Sequence, residues 1–182
     1  MWKWFGGLTV FILGGVVLAG FQTGLKKTNS MDFCVSCHSM EIPYKEYQDS
    51  AHYNNRSGVQ ATCADCHVPQ DTLPKLWAKV RASKDVYHYL LGTIDTKEKF
   101  EERREHMAET VQARMAANAP RPCRNCHESD NMALEEQSDS ARKKHQRAEA
   151  EGKTCISCHK GIAHELPTVD IQIDDSEQGL AL

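Results

Sequence analysis

The sequence predicts a mostly α-helical protein with one N-terminal transmembrane helix and a small globular domain of short helices. Three observations predict it. Residues Phe5 to Leu25 are apolar or small, interrupted only by Thr9, Gln22 and Thr23. Beyond them, apolar residues recur at helical spacing and strands are hardly signalled. All eight cysteines fall in copies of one pattern, Cys-x-x-Cys-His, and the short helices lie between those copies.

A chain of 182 residues bounds the protein to one domain, or one small domain with appendages. Its hydrophobic fraction is 40%, below the ~45–50% usual for a globular domain. Much of that fraction sits in the first segment, so the remainder buries little side-chain surface and needs something else to fill its core. A net charge of -3 lacks the basic excess of a nucleic-acid-binding protein. The charge is uneven: Lys75, Lys79, Arg81 and Lys84 form a basic run, and Asp170, Asp174, Asp175 and Glu177 an acidic tail.

The N-terminal stretch, wound as a helix, spans ~31 Å and matches a ~30 Å hydrocarbon core. Trp2 and Trp4 suit the headgroup level at one end, Lys26 and Lys27 at the other. Val17-Leu18-Ala19 resembles a signal-peptide cleavage site. The apolar stretch exceeds the ~7–15 residues of a signal core, however, and only Lys3 precedes it, so a retained anchor is expected. Lys26 and Lys27 outnumber Lys3, so charge bias points weakly the wrong way; the orientation has to come from chemistry. Gly20-x-x-x-Gly24 would let two anchors pack as a homodimer, against the simpler reading that glycine is common in membrane helices.

Residues 72–91 place Leu73, Leu76, Trp77, Val80, Tyr87 and Leu90 at helical spacing, with Pro74 tolerated in the first turn. Asp95-Thr96-Lys97-Glu98 reads as a capping box. It opens a helix with a packing stripe of Phe100, Met107, Val111 and Met115, stopped by Pro120 and Pro122. A polar helix around 132–150 ends near Gly152, and the acidic residues after Pro167 are expected to be disordered. The divisions are an anchor at 1–27, a domain at 28–167 and a tail at 168–182.

The motifs are Cys34/Cys37/His38, Cys63/Cys66/His67, Cys123/Cys126/His127 and Cys155/Cys158/His159. In this pattern the two thiols add to the vinyl groups of a haem, and the adjacent histidine is held beside the iron. A zinc site would use the same residue types. Four motifs that consume every cysteine specify four haem c groups instead, whose macrocycles also supply the missing apolar core. Covalent haem attachment in bacteria occurs outside the cytoplasmic membrane, so the domain belongs on the periplasmic side of the inner membrane. The first two motifs start 29 residues apart (34 to 63) and the last two 32 apart (123 to 155), with 60 between the pairs, which suggests two dihaem units. For the second axial positions the sequence offers His52, His88, His106, His145 and His164. His164 is only five residues after His159, too short a tether to pass round one macrocycle, so it serves a different haem or none. Met40 is either a thioether ligand or a packing residue.

The segments "GFQTGLKKTN", "FCVSCHSM", "SAHYNNRSGVQATCADCHVP", "ASKDVY", "CRNCH" and "TCISCHKGIAHELP" resemble the NapC/NirT family of membrane-anchored tetrahaem quinol-oxidising cytochromes. The resemblance runs from the anchor to about Pro167 and is strongest to members that feed the periplasmic nitrate reductase. It implies that Met40 ligates the first haem in place of His38, and that His67, His127 and His159 are the proximal ligands of haems two, three and four. It further implies His52 as distal ligand to haem four, His164 to haem three and His145 to haem two, with His88 and His106 as non-ligands. Lys79 and Asp85 match a quinol pocket beside haem one. The implied path runs from membrane menaquinol or ubiquinol to a periplasmic reductase.

Residue chemistry is compatible with that pocket. Quinol oxidation needs an electron acceptor near the membrane and a polar group for the hydroxyl proton. Lys79 and Asp85 lie about two turns apart on one predicted helix. The alternative is that the basic run there merely touches anionic lipid headgroups; both readings place this helix at the membrane. Two rival functions are a multihaem enzyme reducing nitrite or a similar oxyanion at an open iron, and a soluble electron shuttle released by cleavage of the anchor.

Overall fold

The computed structural model describes residues 2–118 and 121–167. Nine α-helices follow in order: α1 Trp2–Lys27, α2 Met31–Cys34, α3 Glu41–Gln48, α4 Cys63–His67, α5 Thr72–Leu90, α6 Lys97–Ala117, α7 Arg121–Arg124, α8 Asp139–Ala150 and α9 Cys155–Cys158. Single 3-10 turns cover His38–Met40, Ser129–Asn131 and Leu134–Glu136, and the described residues contain no strand. The prolines' intended stop at Pro120, the acidic 168–182 segment and the Trp2 side chain lie outside the described residues.

α1 is long and apolar enough to cross a membrane. Its two hydroxyls are satisfied within the helix: Thr9 donates to the Phe5 carbonyl at 2.9 Å and Thr23 to Ala19 at 2.8 Å. In hydrocarbon an unmet donor costs several kcal/mol, so back-bonding is what makes these threonines tolerable.

In the domain, Tyr47 is the one buried hydrophobic residue among those described, 5% exposed. Its hydroxyl donates to the Ala61 carbonyl, and its ring meets Tyr53 edge-on at 5.2 Å. Together these contacts fasten the 49–62 loop to α3. Burying one aromatic side chain returns about 2–3 kcal/mol, whereas ordering each residue costs about 1–2 kcal/mol. Side-chain burial alone therefore cannot hold this domain together. Large apolar groups between the helices have to contribute the rest, as the low apolar content of the sequence requires.

Two elements differ from expectation. The polar helix begins at Asp139, not near 132, because Ser138 caps it by accepting from the Ala141 N–H at 3.2 Å. The residues before it form the two 3-10 turns. At α6, Thr96 caps alone, accepting from Lys99 N–H at 3.4 Å. A capping box needs an acceptor three residues on; that position is Lys99, which instead pairs with Asp95 at 2.6 Å. A reciprocal cap forms elsewhere: Asp65 accepts from the Thr62 N–H at 2.7 Å and from its hydroxyl at 2.6 Å.

α5 leaves Leu73, Trp77, Val80 and Tyr87 exposed along one side. Lys79 joins this helix to the foot of α1, its ammonium donating to the Thr28 carbonyl at 2.6 Å. α6 packs against α9, with its Phe100, Met107, Val111 and Met115 stripe half-buried. Gly152, at φ +63, reverses the chain between α8 and α9.

Gly161 turns the segment after the last motif, at φ +72, with the side chain of Leu166 3.0 Å from where a Cβ would stand. Gly161→Ala combines left-handed strain with that close approach. It is expected to destabilise the domain by about 1–2 kcal/mol, read as a lower denaturation midpoint; an unchanged midpoint would refute the strained turn.

Candidate functional site

In motifs two and four, Cys-x-x-Cys winds a single helical turn, as α4 and α9. In motif three Cys123 lies in α7 and Cys126 in the turn that follows it, the Cys126 N–H donating to the Cys123 carbonyl at 3.2 Å, so in all three the thiols at i and i+3 share one face. The turn carries through to the histidine. His127 N–H donates to the Cys123 carbonyl at 2.8 Å, His159 N–H to Cys155 at 2.9 Å, and His67 closes α4 itself.

The first motif is built differently. Cys34 ends α2, and Cys37 is extended at φ -93, ψ 134, so the turn breaks between the two cysteines. His38 opens a separate turn with Met40. Its Nδ1 pairs with Glu41 at 2.8 Å, and its side chain is 71% exposed.

Each remaining motif histidine faces a second imidazole from another part of the chain. His127 faces His52 with ring centres 6.1 Å apart, His67 faces His164 at 6.1 Å, and His159 faces His145 at 6.0 Å. An iron bound by two imidazole nitrogens at about 2 Å each spaces the ring centres by about 6 Å. The residues fit haem: thiols for attachment, an imidazole beside them, and a second imidazole at iron-spanning distance.

These juxtapositions differ from those the family resemblance implied. His52 stands against the third motif, not the fourth; His164 against the second, not the third; His145 against the fourth, not the second. Chain path explains two of these. The Gly152 reversal folds α8 back over α9, bringing His145 to His159. His164 cannot turn back onto His159 and crosses to α4 instead. His88 bonds the Thr93 hydroxyl at 3.2 Å near the end of α5, and His106 is exposed on α6.

Each of the three facing histidines directs Nδ1 toward an acceptor, which leaves Nε2 free as the donor atom. His145 Nδ1 lies 2.7 Å from Gln137 Oε1, and His52 Nδ1 lies 3.4 Å from the Ile162 carbonyl. His164 Nδ1 is 3.8 Å from Glu46 Oε2. Desolvation by the crowded surroundings, then the nearby His164 imidazole, pushes His67 down to about 4, although the residue as a whole is exposed and the shift is correspondingly softened by solvent. Desolvation lowers His164 as well. Both rings are neutral at neutral pH, the state that offers a lone pair to a metal.

The motifs form a continuous row. α2 packs on α4, and α4 on α7. The Cys63 N–H reaches the Met31 sulfur at 3.3 Å. Hydrogen bonding with the Cys63 thiol, against the opposing effect of burial, pulls Cys34 down to about 6, while the same contact and burial push Cys63 up. Burial raises Cys66 and Cys123; the charges of Cys123 and Cys126 add to the rise of Cys66, and Cys155 adds to that of Cys123. The third and fourth motifs are thus neighbours too. A cleft of about 350 Å³ opens beside Cys126, His127 and Met132.

Lys79 lies near the first motif. Desolvation lowers its pKa and the charge of Cys34 opposes that shift. Asp85 is exposed on the same helix, and no hydrogen bond or ion pair with a described residue holds it. The sequence reading missed Glu46, Arg104, Gln137 and the Ile162 carbonyl as supports of the distal histidines. Only Gln137 sits near its histidine in sequence; the other contacts are long-range, and no local pattern marks them.

Thiol-bearing turns with paired imidazoles define a multihaem cytochrome of the c type. The chain belongs to the NapC/NirT cytochrome c family, whose N-terminal-region model matches residues 2–169. A tetraheme cytochrome-c type protein of Allochromatium vinosum is 52% identical over 162 residues, covering 88% of either chain. Cytochrome c-type protein NapC of Escherichia coli is 47% identical over 178 residues, 92% of this chain and 89% of that one. Denitrification system component NirT of Stutzerimonas stutzeri is 50% identical over 164 residues, 89% and 82% of the two chains. A chain in a crystal structure of the cytochrome c nitrite reductase NrfHA complex bound to the HQNO inhibitor aligns at a TM-score of 0.49 and 27% identity, covering 85% of this chain and 87% of that one.

Proposed function

We propose that this protein takes electrons from membrane quinol at the foot of α1 and delivers them to a periplasmic reductase, with nitrate reductase as the leading partner. The observation that carries the reading is the row of thiol turns, three of them backed by imidazole pairs at iron-spanning distance, that starts where α1 meets the domain. When bound, one haem c per motif supplies reversible one-electron chemistry. Family membership supports electron transfer, and the apolar α1 supports a retained anchor with residues 28–167 on the periplasmic side.

Each cysteine pair would attach one haem through thioether bonds. His127 with His52, His67 with His164, and His159 with His145 would hold its iron. At the first motif, Glu41 draws the His38 ring toward solvent, and Met40 on the same turn provides the sulfur. At the three motifs with a facing imidazole both nitrogens would be taken up by the iron and would leave no position for a substrate oxyanion, which favours a relay over a nitrite-reducing enzyme.

Quinol meets the chain at α5. The exposed Leu73, Trp77, Val80 and Tyr87 suit the acyl boundary, and Lys75, Arg81 and Lys84 suit lipid headgroups. Lys79, tied to Thr28 at the end of α1, would hold a quinol oxygen; Asp85 would accept one of the two protons that leave with the two electrons, the other passing to solvent. Menaquinol and ubiquinol present the same hydroxyl to this pair.

Mass spectrometry of the purified protein is expected to give the intact N-terminus plus four haem masses. A shorter N-terminus or fewer haems contradicts the reading.

His52→Ala, His145→Ala and His164→Ala are each expected to convert one low-spin haem to high spin, visible in the optical and EPR spectra. His88→Ala and His106→Ala should leave the low-spin signals intact, and an equal effect from either overturns the ligand set.

Asp85→Asn keeps the side-chain shape and removes the base. Quinol-driven haem reduction is expected to slow by ~10²-fold, with dithionite reduction unchanged. A wild-type rate with quinol places the entry site elsewhere.

A further inference from the structure

Glu46 on α3 and Arg104 on α6 are far apart in sequence and pair at 2.6 Å with little exposure, 12% for the arginine side chain and 8% for the glutamate. Removing one partner would leave the other charge poorly solvated and uncompensated, so the contact is firmly held. What it holds is the segment carrying His164. Glu46 Oε2 accepts from the Glu165 N–H at 3.1 Å, and Arg104 Nη1 donates to the Glu165 carbonyl at 3.4 Å. The peptide groups next to His164 are gripped from both sides.

The same Oε2 lies 3.8 Å from His164 Nδ1, a buried atom with no hydrogen-bond partner. That distance is an electrostatic contact, too long for a hydrogen bond; the Pro43 backbone is the other acceptor beside this imidazole, and it is uncharged. Nor is the carboxylate neutralised. Arg104 also binds Glu101 through Nε at 2.6 Å and Nη2 at 2.8 Å. Two carboxylates share one guanidinium, so the cluster carries a formal charge of -1. The corresponding acceptors on His52 and His145 are a carbonyl and an amide oxygen, both uncharged.

We propose that Glu46 is a positioning residue: it holds the Nδ1 proton of His164, presents Nε2 to the iron shared with His67, and makes that haem the lowest in reduction potential of the three with paired imidazoles. This rests on the ligand set of the preceding section. A carboxylate behind an imidazole increases its donor strength and stabilises ferric iron. Removing the charge should therefore raise the potential.

The test is a redox titration of the full-length, detergent-solubilised holoprotein followed by optical and EPR spectra. In Glu46→Gln, which keeps the side-chain shape and one acceptor oxygen for either Arg104 or the Glu165 N–H, one haem is expected to shift upward. The shift should correspond to roughly a tenfold higher ferrous-to-ferric ratio at fixed ambient potential, about 59 mV for a one-electron couple. Glu101→Gln removes a charge from the same cluster without facing His164 and should shift that haem much less. Four unmoved potentials in Glu46→Gln, or an equal shift in Glu101→Gln, overturn the proposal. If Glu46→Gln does not assemble, Glu46→Asp draws the charge back by one methylene; a smaller rise is expected, and no rise overturns the proposal equally. The parent protein separates the two readings. Fewer than four haems, or fewer than three sites with paired-imidazole signals, would defeat the ligand set itself and not the role of Glu46 alone.

Discussion

The domain depends on imidazole rings brought opposite one another with their centres about 6 Å apart. In each pair one ring rides on a thiol-bearing turn and is fixed by local hydrogen bonds. The other arrives from elsewhere and has to be delivered: His52 on a loop fastened by Tyr47, His145 on a helix turned back at Gly152, His164 on a segment clamped by Glu46 and Arg104. The remaining structure, in which side-chain burial is slight, serves to bring those three rings to their places.

The first motif departs from this plan. Its extended Cys37 breaks the turn, its histidine is turned toward Glu41, and no second imidazole faces it among the described residues. It is also the motif nearest the membrane end, beside Lys79. The proposed quinol entry thus falls at the motif least enclosed by protein side chains, ahead of three motifs that each face a second imidazole.

Much of this was legible in the sequence. The anchor, the thiol motifs and α5 follow from composition, spacing and periodicity, because each depends on neighbours in the chain. The start of α8 was misjudged because the polar residues before Ser138 carry no strong stop signal. The cap of α6 was misjudged because Glu98 lies one residue too early to reciprocate with Thr96. The matching of distal to proximal histidines could not be read, since it depends on how loops cross; the short tether from His159 to His164 excluded one pairing without choosing among the others. Glu46 and Arg104 left no trace at all: each is an ordinary charged residue on its own helix.

The pairings 52 with 127 and 67 with 164 overlap in sequence without either enclosing the other. A chain emerging N-terminus first thus carries its second motif for nearly a hundred residues before the partner of His67 exists. No N-terminal fragment ending before His164 can bring these two rings together. Completion of the early half therefore waits on the last described segment, and the meeting of His67 with His164 reports that the chain has been made at least as far as residue 164.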